Sequence, residues 1–157
     1  MANPSDAPVR CMYLPLATAG LLVPSSSVVE IIVVPPINRV DGAPAWLDGV
    51  VNWRGEKLPL VSAEAALGRP RTELGARARI AVIHALEGSA GMRFYGIGIQ
   101  RLPTVVLASE RTTEAAEPSV LVDWVHSQVD LEVGEGLVPN FDILERMVAA
   151  AIPAAAH

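Results

Sequence analysis

The chain of 157 residues has one cysteine, Cys11, so no internal disulfide can form and nothing in the composition speaks for an oxidising compartment. Basic charge is also short. Twelve Lys and Arg stand against 17 Asp and Glu, a net charge of -5 and a pI near 5.1, which argues against a general nucleic-acid binder with its basic stripe along the phosphates. The three histidines, His84, His126 and His157, are far apart and have no carboxylate at ligand spacing, so a zinc site is not supported. No Walker-type phosphate loop occurs, and Gly96-Ile97-Gly98 lacks the third glycine and the helix of a dinucleotide fingerprint. Ser25, Ser26 and Ser27 have no histidine or lysine near them in sequence to act as a base. The apolar stretch Cys11 to Val23 is shorter than the roughly 20 residues of a membrane span, contains Pro15 and runs into Pro24. Met1 to Pro8 offers only Asp6 as a charge, unlike the positive start of a signal peptide. These absences predict a noncatalytic, cytoplasmic protein without metal or cofactor.

What is present is apolar material: 51% of the residues are hydrophobic, ample for the core of one domain. The strongest pattern is Gly49 to Val61, GVVNWRGEKLPLV. Apolar residues from Val50 to Trp53 and from Leu58 to Val61 flank the corner Arg54-Gly55-Glu56-Lys57, which reads as a β-hairpin or tight corner. Arg54 sits directly against an apolar run, so a partner carboxylate is expected if it is buried. Pro44 to Gly49 reads as one helical turn, with Pro44 at its first position and Gly49 as its stop.

Elsewhere Gly and Pro punctuate short strands. Met12 to Ala17 and Leu21 to Val23 form a hairpin around Thr18-Ala19-Gly20, and Ser27 to Glu30 has the spacing of a capping box. Ile31 to Val34 is a strand stopped by Pro35-Pro36. Ser62 can cap a helix from Ala63 to Leu67, closed by Gly68. Arg69 to Arg79 reads as a solvated loop whose Arg69, Arg71, Arg77 and Arg79 could also attract an acidic partner. Ile80 to Leu86 and Met92 to Ile99 pair around Glu87 to Gly91, and Leu107 to Pro118 reads as an exposed loop. Val120 to Val125 and Val129 to Val133 read as strands, with Gly134 and Gly136 marking a turn. Phe141 to Ala149 closes the chain as a helix, with residues 1–9 and 150–157 as flexible tails around a single domain of residues 10–149. His84 reads as a core or edge histidine. Trp46, Trp53 and Trp124 read as core, with Trp53 a candidate to line a groove. The class is all-β with short helices, a barrel or sandwich.

Three segments resemble CheW-like coupling domains of bacterial chemosensory systems. They are the proline followed by Gly49-Val50-Val51-Asn52-Trp53-Arg54-Gly55 and Pro59-Leu60-Val61, the upstream Leu21 to Ile31 with its Val28-Val29-Glu30-Ile31 turn, and the downstream Gly96 to Val105. The resemblance implies two interleaved five-stranded β-barrels around a shared core, with a groove between them. It implies a noncatalytic scaffold bridging the cytoplasmic tip of a chemoreceptor to the regulatory domain of a CheA-type histidine kinase, recruited to membrane-associated receptor arrays. Glu30 is expected to pair with Arg54, and Val28, Gly49, Val50, Asn52, Arg54 and Leu102 fall on receptor-facing positions. Strand alternation by itself sets Val50, Asn52 and Arg54 on one face and Gly49, Val51 and Trp53 on the other. Gln100 replaces the family's Asp and the C-terminal third matches loosely, which suggests an accessory coupling protein, as in a pilus-linked system. A small β-barrel hydrolase or ligand-binding protein is the alternative.

Overall fold

The computed structural model describes residues 9–86, 92–108, 114–116 and 122–152. The first strands, β1 (Val9–Pro15) and β2 (Gly20–Pro24), form the expected hairpin; a 3-10 turn, Ser25–Ser27, leads into β3 (Val28–Val33). β4 (Leu47–Trp53) and β5 (Glu56–Val61) form the central hairpin, followed by α1 (Ala63–Ala66), then β6 (Arg79–His84) and β7 (Phe94–Ile99). β8 (Thr104–Ala108), β9 (Glu114–Ala116), β10 (Val125–Leu131), β11 (Gly134–Pro139) and α2 (Phe141–Ala151) complete the chain. One sheet has six strands in the order β8-β1-β2-β11-β10-β9, the other five in the order β3-β6-β7-β5-β4.

Both ladders are open, which corrects the expectation of two five-stranded barrels: one sheet has an extra strand and neither closes on itself. The five-stranded sheet nevertheless curls so far that an isolated antiparallel bridge, Asn38 to Val50, brings the chain leaving β3 against the far edge strand β4. Period-two alternation explains the curl. In β6, Ala81 and Ile83 face a core shared with the other sheet, whereas Ile80 and Val82 face a smaller core inside the curl. Both faces of this sheet are therefore apolar, and its strands read as nearly continuous hydrophobic runs. Glycine makes the inner core possible: a Cβ on Gly96 would lie 2.6 Å from Ile80 Cγ2.

The shared core joins Leu14, Leu21 and Val23 of the six-stranded sheet to Tyr95, Ile97 and Ile99 of the five-stranded one. Trp124, 2% exposed, sits in it and donates Nε1–H to Ala66 O at 2.9 Å. α2 lays Leu144 and Val148 on the same core. It is capped by Asn140, whose Oδ1 accepts from Ile143 N at 3.2 Å. Glu145, next to Leu144 and fully buried, accepts from Tyr95 Oη at 3.0 Å and from Leu86 N at 2.7 Å, tying the helix to β7 and to the chain just past β6. Burial, and then the Glu145 carboxylate beside it, hold the Tyr95 hydroxyl far above its usual pKa.

Several boundaries move. Ser27 does not form a capping box: its hydroxyl donates to Pro24 O at 2.6 Å, and Glu30 lies within β3, because three serines make only a 3-10 turn before the β-branched run begins. Ser62 occupies the cap position of α1 without a side-chain cap bond. Leu107 and Ala108 belong to β8, and Glu114–Ala116 is β9, where a loop was expected. β10 runs through the position expected to separate two strands, and Gly134 and Gly136 lie in β11. Val9 belongs to β1, and α2 extends to Ala151. The expected turn at 87–91, and residues 1–8 and 153–157 of the expected tails, lie outside the described residues.

Candidate docking surface

The β4–β5 hairpin turns on two residues. Trp53 pairs with Glu56, leaving Arg54 and Gly55 at φ 49° and 76°. Two successive positive φ values make a type I′ turn, whose twist matches that of the strands. Arg54 accepts a backbone region unusual for a side-chain-bearing residue, and its guanidinium turns back over β4. Its Nη2 donates to Glu30 Oε2 at 2.8 Å, and its guanidinium carbon stands 5.0 Å from the Trp53 ring centroid. Trp53 Nε1–H points at the same Glu30 oxygen at 3.4 Å. The ion pair expected between these residues lies at the surface, with side chains 66% and 36% exposed. Such a pair contributes about 0 to 1 kcal/mol. The row continues across the sheet through Phe94, edge-on to Trp53 at 5.1 Å, and His84, edge-on to Phe94 at 5.3 Å. His84 is exposed at the end of β6.

The outer edge of β4 shows how a strand edge is closed residue by residue. In an antiparallel pair, hydrogen-bonded and non-hydrogen-bonded positions alternate. Counting back from the Trp53/Glu56 pair that closes the turn, Asn52/Lys57 and Val50/Pro59 are non-hydrogen-bonded, so Val50 and Asn52 turn their backbone groups away from β5. Val50 exchanges both bonds with Asn38 at 2.8 Å each. Pro59 opposite it takes nothing from the ladder with β4, and pairing with β7 starts only at Leu60. Asp48 O accepts from Arg39 Nη1 at 3.0 Å. Asn52 is the next residue outward, and among the described residues no backbone partner reaches it on that side.

Gly49 explains why the bridge can form. It has φ 144°, and a Cβ there would lie 2.4 Å from Asn38 O. It lies inside β4 beside a register shift between Leu47 and Gly49. The expected helix ending at Gly49 is thus a single turn, closed by Leu47 N to Pro44 O at 3.0 Å, after which extended pairing takes over. The adjacent Asp48 is buried, with a side chain 2% exposed, and its carboxylate is bonded by Arg71 Nε, with Arg39 Nη1 at 3.9 Å. Arg71 therefore does not belong to a merely solvated loop. Arg69 likewise donates to Thr18 Oγ1. Removing one partner from a buried carboxylate is costly, so the segment after α1 is pinned to the β4 edge.

Two recesses flank these elements. The first, about 220 Å3, is lined by Asn38, Arg39, Val40, Val50, Asn52 and Lys57. In a chain of net charge -5, this lining holds two cations, two amides, two valines and no carboxylate. The second, about 430 Å3, lies between β8 and the β10–β11 turn and has a mixed lining, in which Thr104 and Glu132 stand among Val105, Val106, Leu107, Leu131 and Val133.

Of the positions singled out from sequence, Val50 and Asn52 share the first recess, and Arg54 joins Glu30 beside it across the hairpin end. Gly49 is a backbone position against Asn38. Val28 pairs with Ile83 and packs partly against the shared core. Leu102 is 62% exposed in the connection between β7 and β8, and no hydrogen bond, ion pair or shared recess joins it to the others among the described residues. Sequence reasoning missed Asn38, Arg39 and Lys57. The two-residue turn sets Lys57 opposite Asn52 and was a usable signal for it; Asn38 and Arg39 arrive only through the curl of the sheet.

Among the described residues no group of three or more His, Cys, Asp or Glu could hold a metal. Cys11 is buried, and burial raises its thiol pKa away from the reactive thiolate. No described helix is long and apolar enough to cross a membrane.

The chain belongs to the CheW-like domain family, whose model matches residues 10–138. Proteins of this family are noncatalytic chemotaxis scaffolds, and this chain is a CheW-like adaptor. Its fold is similar to that of the scaffolding protein TtCheW from Thermoanaerobacter tengcongensis, with a TM-score of 0.70 at 16% identity, over 84% of this chain and 88% of that one. No curated protein matches the chain.

Proposed function

We propose that this adaptor couples the cytoplasmic tip of a chemoreceptor to the regulatory domain of a CheA-type histidine kinase, working in the cytoplasm at membrane-associated receptor arrays. The observation that carries this reading is the CheW-like match over residues 10–138, which takes in both sheets. A coupling scaffold needs separate surfaces for its partners, and the recess at the β4 edge and the groove beside β8 are separate. Val28, Gly49, Val50, Asn52, Arg54 and Leu102 are assigned to the receptor side, Gly49 through the backbone bridge it permits. A helical hairpin entering a groove by its apolar residues is the mode of contact.

The test is reconstitution. Purified adaptor, source-organism kinase and receptor tips held in nanodiscs are combined, and kinase autophosphorylation is followed. Receptor control of the kinase is expected only when the adaptor is present. Kinase activity that is indifferent to the adaptor at saturating concentration overturns the proposal.

A further inference from the structure

We infer that the recess at the open edge of β4 is a carboxylate-binding site, which receives an Asp or Glu side chain from the helical receptor tip; this rests on the coupling function proposed above. Three independent features converge on it. The lining carries Arg39 and Lys57 without any acidic residue, although acidic residues outnumber basic ones in the chain. Arg39 is 57% exposed at its side chain, and its one close contact, 3.0 Å from Nη1, is to the carbonyl of Asp48; its distance to the Asp48 carboxylate is 3.9 Å. That carboxylate is engaged instead by Arg71, so further donors of the Arg39 fork remain available. Lys57 is exposed and has no ion-pair partner among the described residues.

The second feature is the backbone. Asp48 and Val50 have their outward groups taken by Arg39 and Asn38, while the outward N–H of Asn52 has no described backbone partner. An N–H at a strand edge beside two cations is a donor placed for an oxyanion, and charge-assisted bonds of this kind are about twice as strong as neutral ones. The third feature is the floor. Val40 and Val50 give the recess an apolar side, which suits the methylene part of an acidic side chain. A helix presents residues three and four apart on one face. One acidic residue can therefore enter here while its apolar neighbours lie on the surrounding surface. Charge complementarity of this kind contributes to specificity and to the rate of encounter.

The probe is a recombinant receptor-tip hairpin from the source organism, with affinity measured by calorimetry at two salt concentrations. Lys57→Glu and Asn52→Asp each set a negative charge in the recess at an exposed position, so the fold is retained, as an unchanged melting temperature will confirm. Each is expected to weaken hairpin binding by at least about tenfold, since like charges at an interface are strongly unfavourable. The salt dependence should flatten in parallel, because an attractive pair is screened by salt. Replacing one Asp or Glu of the hairpin with Lys should restore binding to Lys57→Glu and not to the unaltered protein. Hairpin binding that is unchanged in both folded variants overturns the recess and leaves the coupling function standing. Loss of kinase-domain binding with hairpin binding intact overturns the receptor as occupant. An unaltered adaptor that binds no hairpin overturns both the recess and the coupling function.

Discussion

The two sheets line their edges with different side chains. At the edge of the five-stranded sheet, β4 is closed by an arginine at Asp48 and by a backbone bridge at Val50, leaving one polar step at Asn52 beside Lys57. At the edge of the six-stranded sheet, β8 shows apolar side chains instead, with Val105 57% and Leu107 58% exposed next to Val133. Exposed edges invite unwanted pairing, and proteins protect them by charge or cover. The β4 edge has charge and a partial bridge. A single shared core thus carries two surfaces with different linings: one with two cations and no carboxylate, one with a carboxylate among apolar side chains.

The largest expected effect concerns the core beneath both surfaces. Trp124→Ala removes a large side chain that is 2% exposed, together with its bond to Ala66. It should cost about 3 to 5 kcal/mol. Denaturation followed by fluorescence and by far-ultraviolet circular dichroism should remain one coincident transition; two separated transitions would show that the sheets are independent units and break the comparison at its root.

Gly49→Ala sharpens the polar side alone. It places a Cβ at φ 144° and 2.4 Å from Asn38 O, for an expected loss of about 3 kcal/mol, the upper end for strained backbone. Amide exchange should rise at Asn38 and Val50, whose mutual bonds close the edge, while the amides of β1 and β2 keep their relative protection. Equal loosening of both sheets would mean that the bridge is not a local device.

Leu102→Glu probes an apolar position away from both recesses. At 62% exposure it should shift stability by no more than about 0.5 kcal/mol. If Leu102 faces the receptor, hairpin affinity should fall by about 2 kcal/mol, as at an interface hot spot. Calorimetric titration of a variant with an unchanged melting temperature decides it, and undiminished binding removes Leu102 from the surface.

The smallest effect is expected at Glu30 and Arg54. Because the pair is exposed, each alanine variant should lose about 0 to 1 kcal/mol, and less in high salt. A double-mutant cycle measures the coupling directly. A coupling energy of several kcal/mol would reveal a burial that the surface geometry does not provide.

The sequence by itself determined the elements whose signals are local. The apolar runs Val50 to Trp53 and Leu58 to Val61 with a glycine in the corner between them specify the β4–β5 hairpin, and the stretch from Phe141 to Ala149 reads as the closing helix α2. The CheW-like signature around Asn52-Trp53-Arg54-Gly55 carried the family as well, because those residues are contiguous. Tertiary structure alone decided the closing of the β4 edge. Gly49 reads as a helix stop until Asn38, eleven residues earlier in number and brought round by the curl of the sheet, arrives within bonding distance of Val50. Likewise Arg71 reads as a loop cation until the fold buries Asp48 beneath it, and Arg39 joins Lys57 only because the same curl sets them around one recess. Local propensity acts over a few residues, whereas a strand edge is satisfied by whichever part of the chain the sheet's twist and both apolar faces draw against it.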